Sequence, residues 1–554
     1  MPYKLILMSF ICLFPALVVA EIASVSETKQ LNKNLRANRF LENVSILSSD
    51  EFGGRAPMTE GEKLTLDFLE KKFREAGLEP LFGDSFLQPV PLISMTVNSE
   101  TASMSFTRGP NSKSLVYADE FVAWTQRVEP RVSVSDSEIV FAGYGVVAPE
   151  YDWNDYKGID MTGKTALVLV NDPGFTLENE SVFRGKAMTY YGRWTYKLEE
   201  AARQGASAVI LVHETAPASY GWDTVRNSWS GTDFALPQTD SAPPTVLLGS
   251  WIQLDQATAL LSESGLDLEE LKKRALSPEF EPVPIGFTLN ASVENDIKRG
   301  ESYNVGGLLA GTESPDEAFI YMAHWDHIGT RESDDPSEDV IYNGAVDNAT
   351  GVSALIELAH AFTALPTGSL RSVAFLAVTA EESGKLGSEW YAANPVFPMN
   401  KTVAGVNMDA MLQYGRARDV TVVGFGSSEL EDILRYAARA QEREVKPEPN
   451  PERGSYYRSD HFAFAKKGVP MLYIKSGVDN RKLGEEYGLE KSREYYAIKY
   501  HQPADEVSDE WDPRGMMEDI SLLFEVGLDV VDSENWPQWY EGNEFRAIRD
   551  ASMP

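Results

Sequence analysis

Tyr321-Met-Ala-His324-Trp-Asp326-His327 is an apolar run that closes on an imidazole, a carboxylate and a second imidazole. The chain repeats this design four times further on. Gly344-Ala-Val-Asp347-Asn348, Thr379-Ala-Glu381-Glu382-Ser383, Val406-Asn-Met-Asp409 and Tyr500-His501-Gln-Pro-Ala-Asp505 each end an apolar run or lie in a loop. Around them, residues 318–325, 372–378, 403–408 and 471–475 read as strands. Residues 350–364, 388–393, 428–441 and 516–531 read as helices, the third capped by a serine pair. This alternation predicts an α/β fold, a parallel or mixed sheet flanked by helices with all five clusters at one edge.

Carboxylates and imidazoles gathered at strand ends are what a hydrolytic zinc site needs. Two zinc ions sharing a carboxylate require a bridging acid, terminal ligands for each ion, and an uncoordinated base beside the bridging water. Asp347 can bridge, His324 and Asp409 complete one zinc, and Glu382 and His501 the other. The neighbours Glu381 and Glu382 point apart at a strand end, leaving one carboxylate for metal and one for proton transfer. Asp326, two residues after His324, is placed to accept the second N–H of that imidazole. His327 also follows closely, but its three-residue offset suits it less well than Asp326. His360, on an apolar helix, and His213, at a strand end, read as structural.

Composition narrows the remaining choices. The 554 residues suffice for two or three domains, and the 43% hydrophobic content is that of a folded protein. A formal net charge of −34 argues against nucleic acid or an anionic membrane as partner. Residues 1–20 read as a cleaved signal peptide rather than a retained anchor: Lys4 is basic, 5–19 are almost wholly apolar, and Val18 and Ala20 are small. The single cysteine, Cys12, lies inside that segment, so a metal site must be built from His, Asp and Glu. A soluble secreted or periplasmic protein is expected. Residues 21–115 read as a mainly helical start, with breaks at Gly53-Gly54 and Gly77. Residues 116–292 read as a separate β-rich insertion, and residues 293–554 as the catalytic part.

His324-x-Asp326, the Asp347 loop, Glu381-Glu382, Asn407-Met-Asp409 and Tyr500-His501 together resemble metallopeptidase family 28, the co-catalytic zinc aminopeptidases and their carboxypeptidase relatives. The resemblance implies a zinc-peptidase fold of the phosphorylase/hydrolase-like type, two zinc ions and peptide substrates. It implies Glu381 as general base, Glu382 as ligand, Asp347 as bridge, and a cis bond at Asp347-Asn348. It also implies that the insertion is a protease-associated (PA) domain. Ser459-Asp460-His461 would line the substrate pocket, with Asp460 and His461 close to the metals but not holding them. Tyr456 would face the reacting carbonyl and steady its oxyanion. Gln502 replaces the usual Thr or Ser after the last ligand, and Asp505 is spaced to orient His501.

The implied function is a secreted zinc aminopeptidase. A glutaminyl cyclase-like acyltransferase, a carboxypeptidase of the same fold and a non-catalytic PA-containing ectodomain are the alternatives. The insertion is expected to carry no catalytic residue and to guide access, with Tyr190, Tyr191, Trp194 and Trp222 as candidates for a lip.

Overall fold

The computed structural model describes residues 34–229, 232–237, 244–331, 333 and 335–553. The expected signal peptide lies outside them. Strands β1 (Leu87–Val97), β2 (Val283–Leu309), β3 (Ser314–His324), β4 (Arg371–Val378), β5 (Thr402–Asn407) and β6 (Met471–Ser476) form the body of one sheet. β3 lies parallel to β4 and β5, and β5 lies parallel to β6. β2 runs antiparallel to β4 and β1, so the sheet is mixed. The short strands Asp419–Val422 and Glu444–Pro447, absent from the sequence reading, extend it beyond β6.

The apolar run of β3 is continuous because both faces of the sheet are covered. Phe319, Tyr321 and Ala323 pack with Phe362, Phe375 and Phe524 on one side. Ala318, Ile320 and Met322 pack with Tyr391 and Phe464 on the other. Helices α1 (Ala37–Leu47), α2 (Glu60–Glu75), α3 (Thr350–Thr363) and α6 (Arg514–Val531) supply the first layer. α4 (Leu386–Ala393) and α5 (His461–Ala465) supply the second.

Local chemistry sets the helix ends. Thr59 accepts from the Glu62 N–H at the start of α2. Between α1 and α2 the chain turns through Gly53 and Gly54, both at positive φ. A Cβ on Gly54 would stand 2.5 Å from the Tyr342 carbonyl, so only glycine fits. The helix expected at 428–441 spans Leu430–Ala440 without a serine cap. Instead the Glu431 carboxylate accepts from the Gly426 and Ser427 N–H groups.

The segment read as an insertion has its own sheet, with Arg131–Phe141, Thr165–Leu169, Ala208–His213 and Leu248–Gln253 parallel in that order. Its two faces form separate cores. β2 sews the two units together. Its residues 283–294 pair with Arg131–Phe141 and Ser103–Arg108, while residues 295–305 pair with β1. Ser103–Arg108 therefore belongs to the second sheet, which begins earlier in the chain than residue 116. Thr232–Ala235 returns from the insertion to pair with β1 of the first sheet.

Candidate metal centre

The parallel strands deliver the clusters to one edge. β3 ends at His324, β4 is followed by Glu381 and Glu382, and β5 is followed by Asp409. Asp347 lies in the loop before α3, and its bond to Asn348 is cis. His501 follows the helix Glu485–Ile498, which the sequence reading missed. Ala380, Ala410 and His501 all take left-handed φ values, so the chain turns sharply beside three of the clusters.

Asp347 stands between two donor pairs. Its Oδ1 lies 3.2 Å from His324 Nε2, which is 3.6 Å from Asp409 Oδ1. Its Oδ2 lies 3.4 Å from His501 Nε2, which is 3.1 Å from Glu382 Oε2. His501 Nε2 is buried and has no hydrogen-bond partner despite that crowding. Imidazole and carboxylate donor atoms converging in this way are the arrangement a cation requires. Donor atoms of His324, Asp347 and Asp409 lie within 4.8 Å of one another, as do those of His327, Asp347 and Glu382. The residues present fit zinc.

Burial opposes charge on both histidines, but the carboxylates outweigh it and raise their pKa values well above the ordinary range. Asp347 is likewise opposed by burial, yet His324 and His501 hold its pKa well below the usual carboxylate range. Glu381 is displaced the other way. Burial, reinforced by Asp460, Glu382 and Asp409, pushes it well above that range against the pull of His324.

The supporting contacts differ from expectation at several positions. His324 Nδ1–H donates to the Asp326 carbonyl at 3.1 Å, while the Asp326 carboxylate is 3.9 Å away. That carboxylate instead accepts from the Glu381 and Glu382 N–H groups, fixing the strand end that carries both acids. Asp505 does not orient His501; it accepts from the Val346 and Asp347 N–H groups and so holds the Asp347 loop. Asp460 accepts from Ser388 Oγ, and burial raises its pKa to about 6. His461 is buried against Tyr456 and Tyr473, and burial lowers its pKa to about 3, keeping the ring neutral. Gln502 is exposed at the surface.

Tyr456 departs from its expected place. It is packed on His461 and Tyr457, and its hydroxyl has no hydrogen-bond partner. The charges acting on that hydroxyl are Glu544, Arg184 and Glu431, none of them in the cluster. Tyr473 is the tyrosine that reaches Asp409, donating to its carbonyl at 3.4 Å.

Other residues at the site gave little or no sequence signal. His327 Nδ1 lies 2.6 Å from Glu382 Oε1. Ser459 Oγ donates to Asp409 Oδ2 at 2.6 Å, and Lys475 Nζ to the Asp409 carbonyl at 2.7 Å. Arg55, fully buried, donates to the carbonyls of Leu47, Trp325, Asn343 and Gly344, tying the His324 and Asp347 loops to the end of α1. A buried arginine spending its donors on carbonyls leaves no pattern in sequence.

The insertion docks beside this site. Met188 N–H donates to the Pro451 carbonyl, Arg184 to the Phe425 carbonyl, and the Tyr190 ring packs on Tyr457 and Phe462. Of the four aromatics expected to form a lip, Tyr190 makes this contact. Tyr191 packs on Phe183 and Tyr196, Trp194 on Trp124 and Trp229, and Trp222 on His213, all within the insertion.

Residues 304–524 match the profile of Peptidase family M28. Aminopeptidase NAALADL1 of Rattus norvegicus is 31% identical over 142 residues, a stretch covering 24% of this chain and 17% of the rat protein. The match thus spans less than a fifth of that relative's length. The aminopeptidase from Aneurinibacillus sp. strain AM-1 superposes with a TM-score of 0.51 at 18% identity, over 91% of this chain and 96% of that one. BSAP, a zinc aminopeptidase from Bacillus subtilis, gives 0.42 at 17% identity over 90% and 96%. The first likeness is one of fold.

Proposed function

We propose that this chain, whose residues 304–524 match the profile of Peptidase family M28, is a zinc-dependent aminopeptidase acting on peptides, with Glu381 as general base. The observation that carries this reading is Asp347, with one oxygen facing His324 and Asp409 and the other facing His501 and Glu382. His324, Asp409 and Asp347 would hold one zinc, and Asp347, Glu382 and His501 the second. Zinc supplies a Lewis acid there and lowers the pKa of bound water. Glu381, whose carboxylate lies within 4.8 Å of donor atoms of His324 and Glu382, takes the proton of the attacking water and returns it to the leaving amine. Its raised pKa is the direction such a shuttle needs. Asp326 holds its backbone in place, and Ser459 and Lys475 hold Asp409. The insertion serves as a PA-type unit beside the pocket, and the protein acts after export. Among the described residues no helix is long and apolar enough to cross a membrane.

Metal analysis together with a peptide panel tests this reading. The expected result is two zinc ions per chain and release of amino-terminal residues from peptides with a free amine. His501→Ala is expected to lose one ion and His461→Ala to keep both. One zinc with cyclisation of amino-terminal glutamine, or release from the carboxyl end, would replace this function with another of the same fold. A fully loaded protein without turnover would be non-catalytic.

A further inference from the structure

The second sheet carries a cavity that the metal centre does not use. Ala208–His213 and Leu248–Gln253 run parallel in register, so His213 and Gln253 end side by side at the carboxyl edge. From there the chain leaves in opposite directions. The helices after His213 send Ala218 and Val225 into the core on one face. The helix Leu254–Glu263 sends Ala257, Leu260 and Leu261 into the core on the other. Between them opens a cavity of about 780 Å³, lined among others by His213, Glu214, Trp222, Gln253, Asp255 and Thr258. Parting connections at the carboxyl ends of parallel strands make the crevice in which α/β sheets bind ligands.

The polar side chains around it have spent their donors elsewhere. His213 Nε2–H donates to the Tyr220 carbonyl at 3.1 Å, and burial lowers the pKa of the ring, so Nδ1 is left as a lone pair. Gln253 donates through Nε2 to the Asp119 carbonyl, leaving its amide oxygen. The Thr258 hydroxyl donates to the Leu254 carbonyl. Trp222 Nε1–H donates to the Ala118 carbonyl, so the indole offers its ring and no N–H. Glu214 holds Lys272 at 2.7 Å through one oxygen, and Asp255 accepts from the Gln256 N–H. What remains is a set of acceptors, two carboxylates among them, and an indole. The start of the helix Leu254–Glu263 would by itself favour an anion, but Asp255 stands in its first turn and supplies that charge.

The crevice is tied to the catalytic half. Tyr220, whose carbonyl holds His213, has the Arg458 guanidinium 5.6 Å from its ring centre. Ser459, the next residue, donates to Asp409 at 2.6 Å. Pro217, also in the lining, accepts from Asn171, shortly before the segment that docks through Arg184, Met188 and Tyr190.

Acceptors and an aromatic ring without free donors select a cation. An ammonium or guanidinium group gives its hydrogens to the acceptors and lies against the indole. We propose that this crevice binds the lysine or arginine side chain of a peptide whose amino end lies at the metal centre. Basic residues further along the peptide are then a determinant of specificity. The proposal rests on the peptidase reading for its substrate.

The test uses hexapeptide amides, Leu followed by five alanines, with one alanine at positions three to six replaced in turn by lysine, norleucine or glutamate. At one position lysine is expected to raise kcat/KM about tenfold over norleucine, the yield of a charge-assisted hydrogen bond with a cation–π contact. Asp255→Asn and Trp222→Leu each lower that ratio. Thr258→Lys, which puts a cation of the protein's own into the crevice from an exposed helix position, brings it to one.

Calorimetric titration of the preferred lysine peptide and its norleucine and glutamate counterparts into zinc-loaded Glu381→Gln protein reads binding without turnover. Lysine-selective affinity that Thr258→Lys removes supports the crevice. Equal affinity for the three, a preference for glutamate, or a lysine preference untouched by Thr258→Lys and Asp255→Asn overturns it. Cleavage of all the peptides at equal rates overturns the crevice alone. Lysine-selective binding to a wild-type protein that cleaves none of them would overturn the peptidase reading and leave the crevice standing.

Discussion

Glu381 and Glu382 are adjacent in the chain yet differ in surroundings. Glu382 is drawn into contact with His327 and His501, and although burial opposes its charge the imidazoles hold its pKa below the carboxylate range. Glu381 is pushed upward by burial first, reinforced by Asp460, Glu382 and Asp409. Glu381→Gln should therefore keep both zinc ions and the fold while kcat falls about 10²–10⁴-fold, the usual yield of a positioned base. Zinc content and kcat measured on one preparation check it; loss of a zinc ion from this variant, with none from Glu382→Gln, would exchange the two roles. The acids of the site were legible as residue types. Whether Asp326 or Asp505 reaches an imidazole or a backbone N–H was not, because that depends on loops brought together from other parts of the chain.

At the scale of an element, α3 carries a test of pH dependence. His360 faces Arg36, Arg39, Lys72 and Glu75, and burial followed by these cations lowers its pKa to about 4. In the unfolded chain the imidazole takes its proton near pH 6.5. Between the two values the unfolded state binds more protons, so this group withdraws stability as pH falls from about 6.5 towards 4. Discounted for partial exposure, the loss is about 1 kcal/mol. Urea denaturation at pH 7.5 and pH 5 should show the wild type losing about that much more than His360→Gln. An equal loss in both would mean the ring is solvated. The same helix pins α1, since Glu357, fully buried, accepts from Arg39 at 2.5 and 2.7 Å.

At the scale of the molecule, the insertion is not a detachable cap. β2 is a single strand shared by both sheets, and a cut at residue 292 would sever it while stranding Ser103–Arg108 without its partner. A point change at the docking surface is the cleaner probe of gating. Tyr190→Ala removes the ring that meets Tyr457 and Phe462 and should loosen residues 184–193. Faster hydrogen exchange in that segment, with unchanged zinc content and altered relative rates on long and short peptides, is expected. Unchanged exchange would show that the backbone contacts at Pro451 and Phe425 suffice to hold the insertion.

The sequence by itself determined the sheet and its chemistry. A strand buried on both faces must be an unbroken apolar run, and a polar residue ending such a run must sit at the sheet edge, so β3, β4 and β5 and the acids and imidazoles that follow them were readable one by one. Spacing also suggested that Asp347 could serve two ions. The tertiary structure decided the rest, because it concerns partners distant in sequence. It decided which oxygen of Asp347 meets which histidine, that Tyr456 turns away while Tyr473 reaches Asp409, and that His327 meets Glu382. It also decided that Tyr190 of the insertion packs on Tyr457 and Phe462. Such contacts have no signature in sequence, since they exist only once the chain has folded.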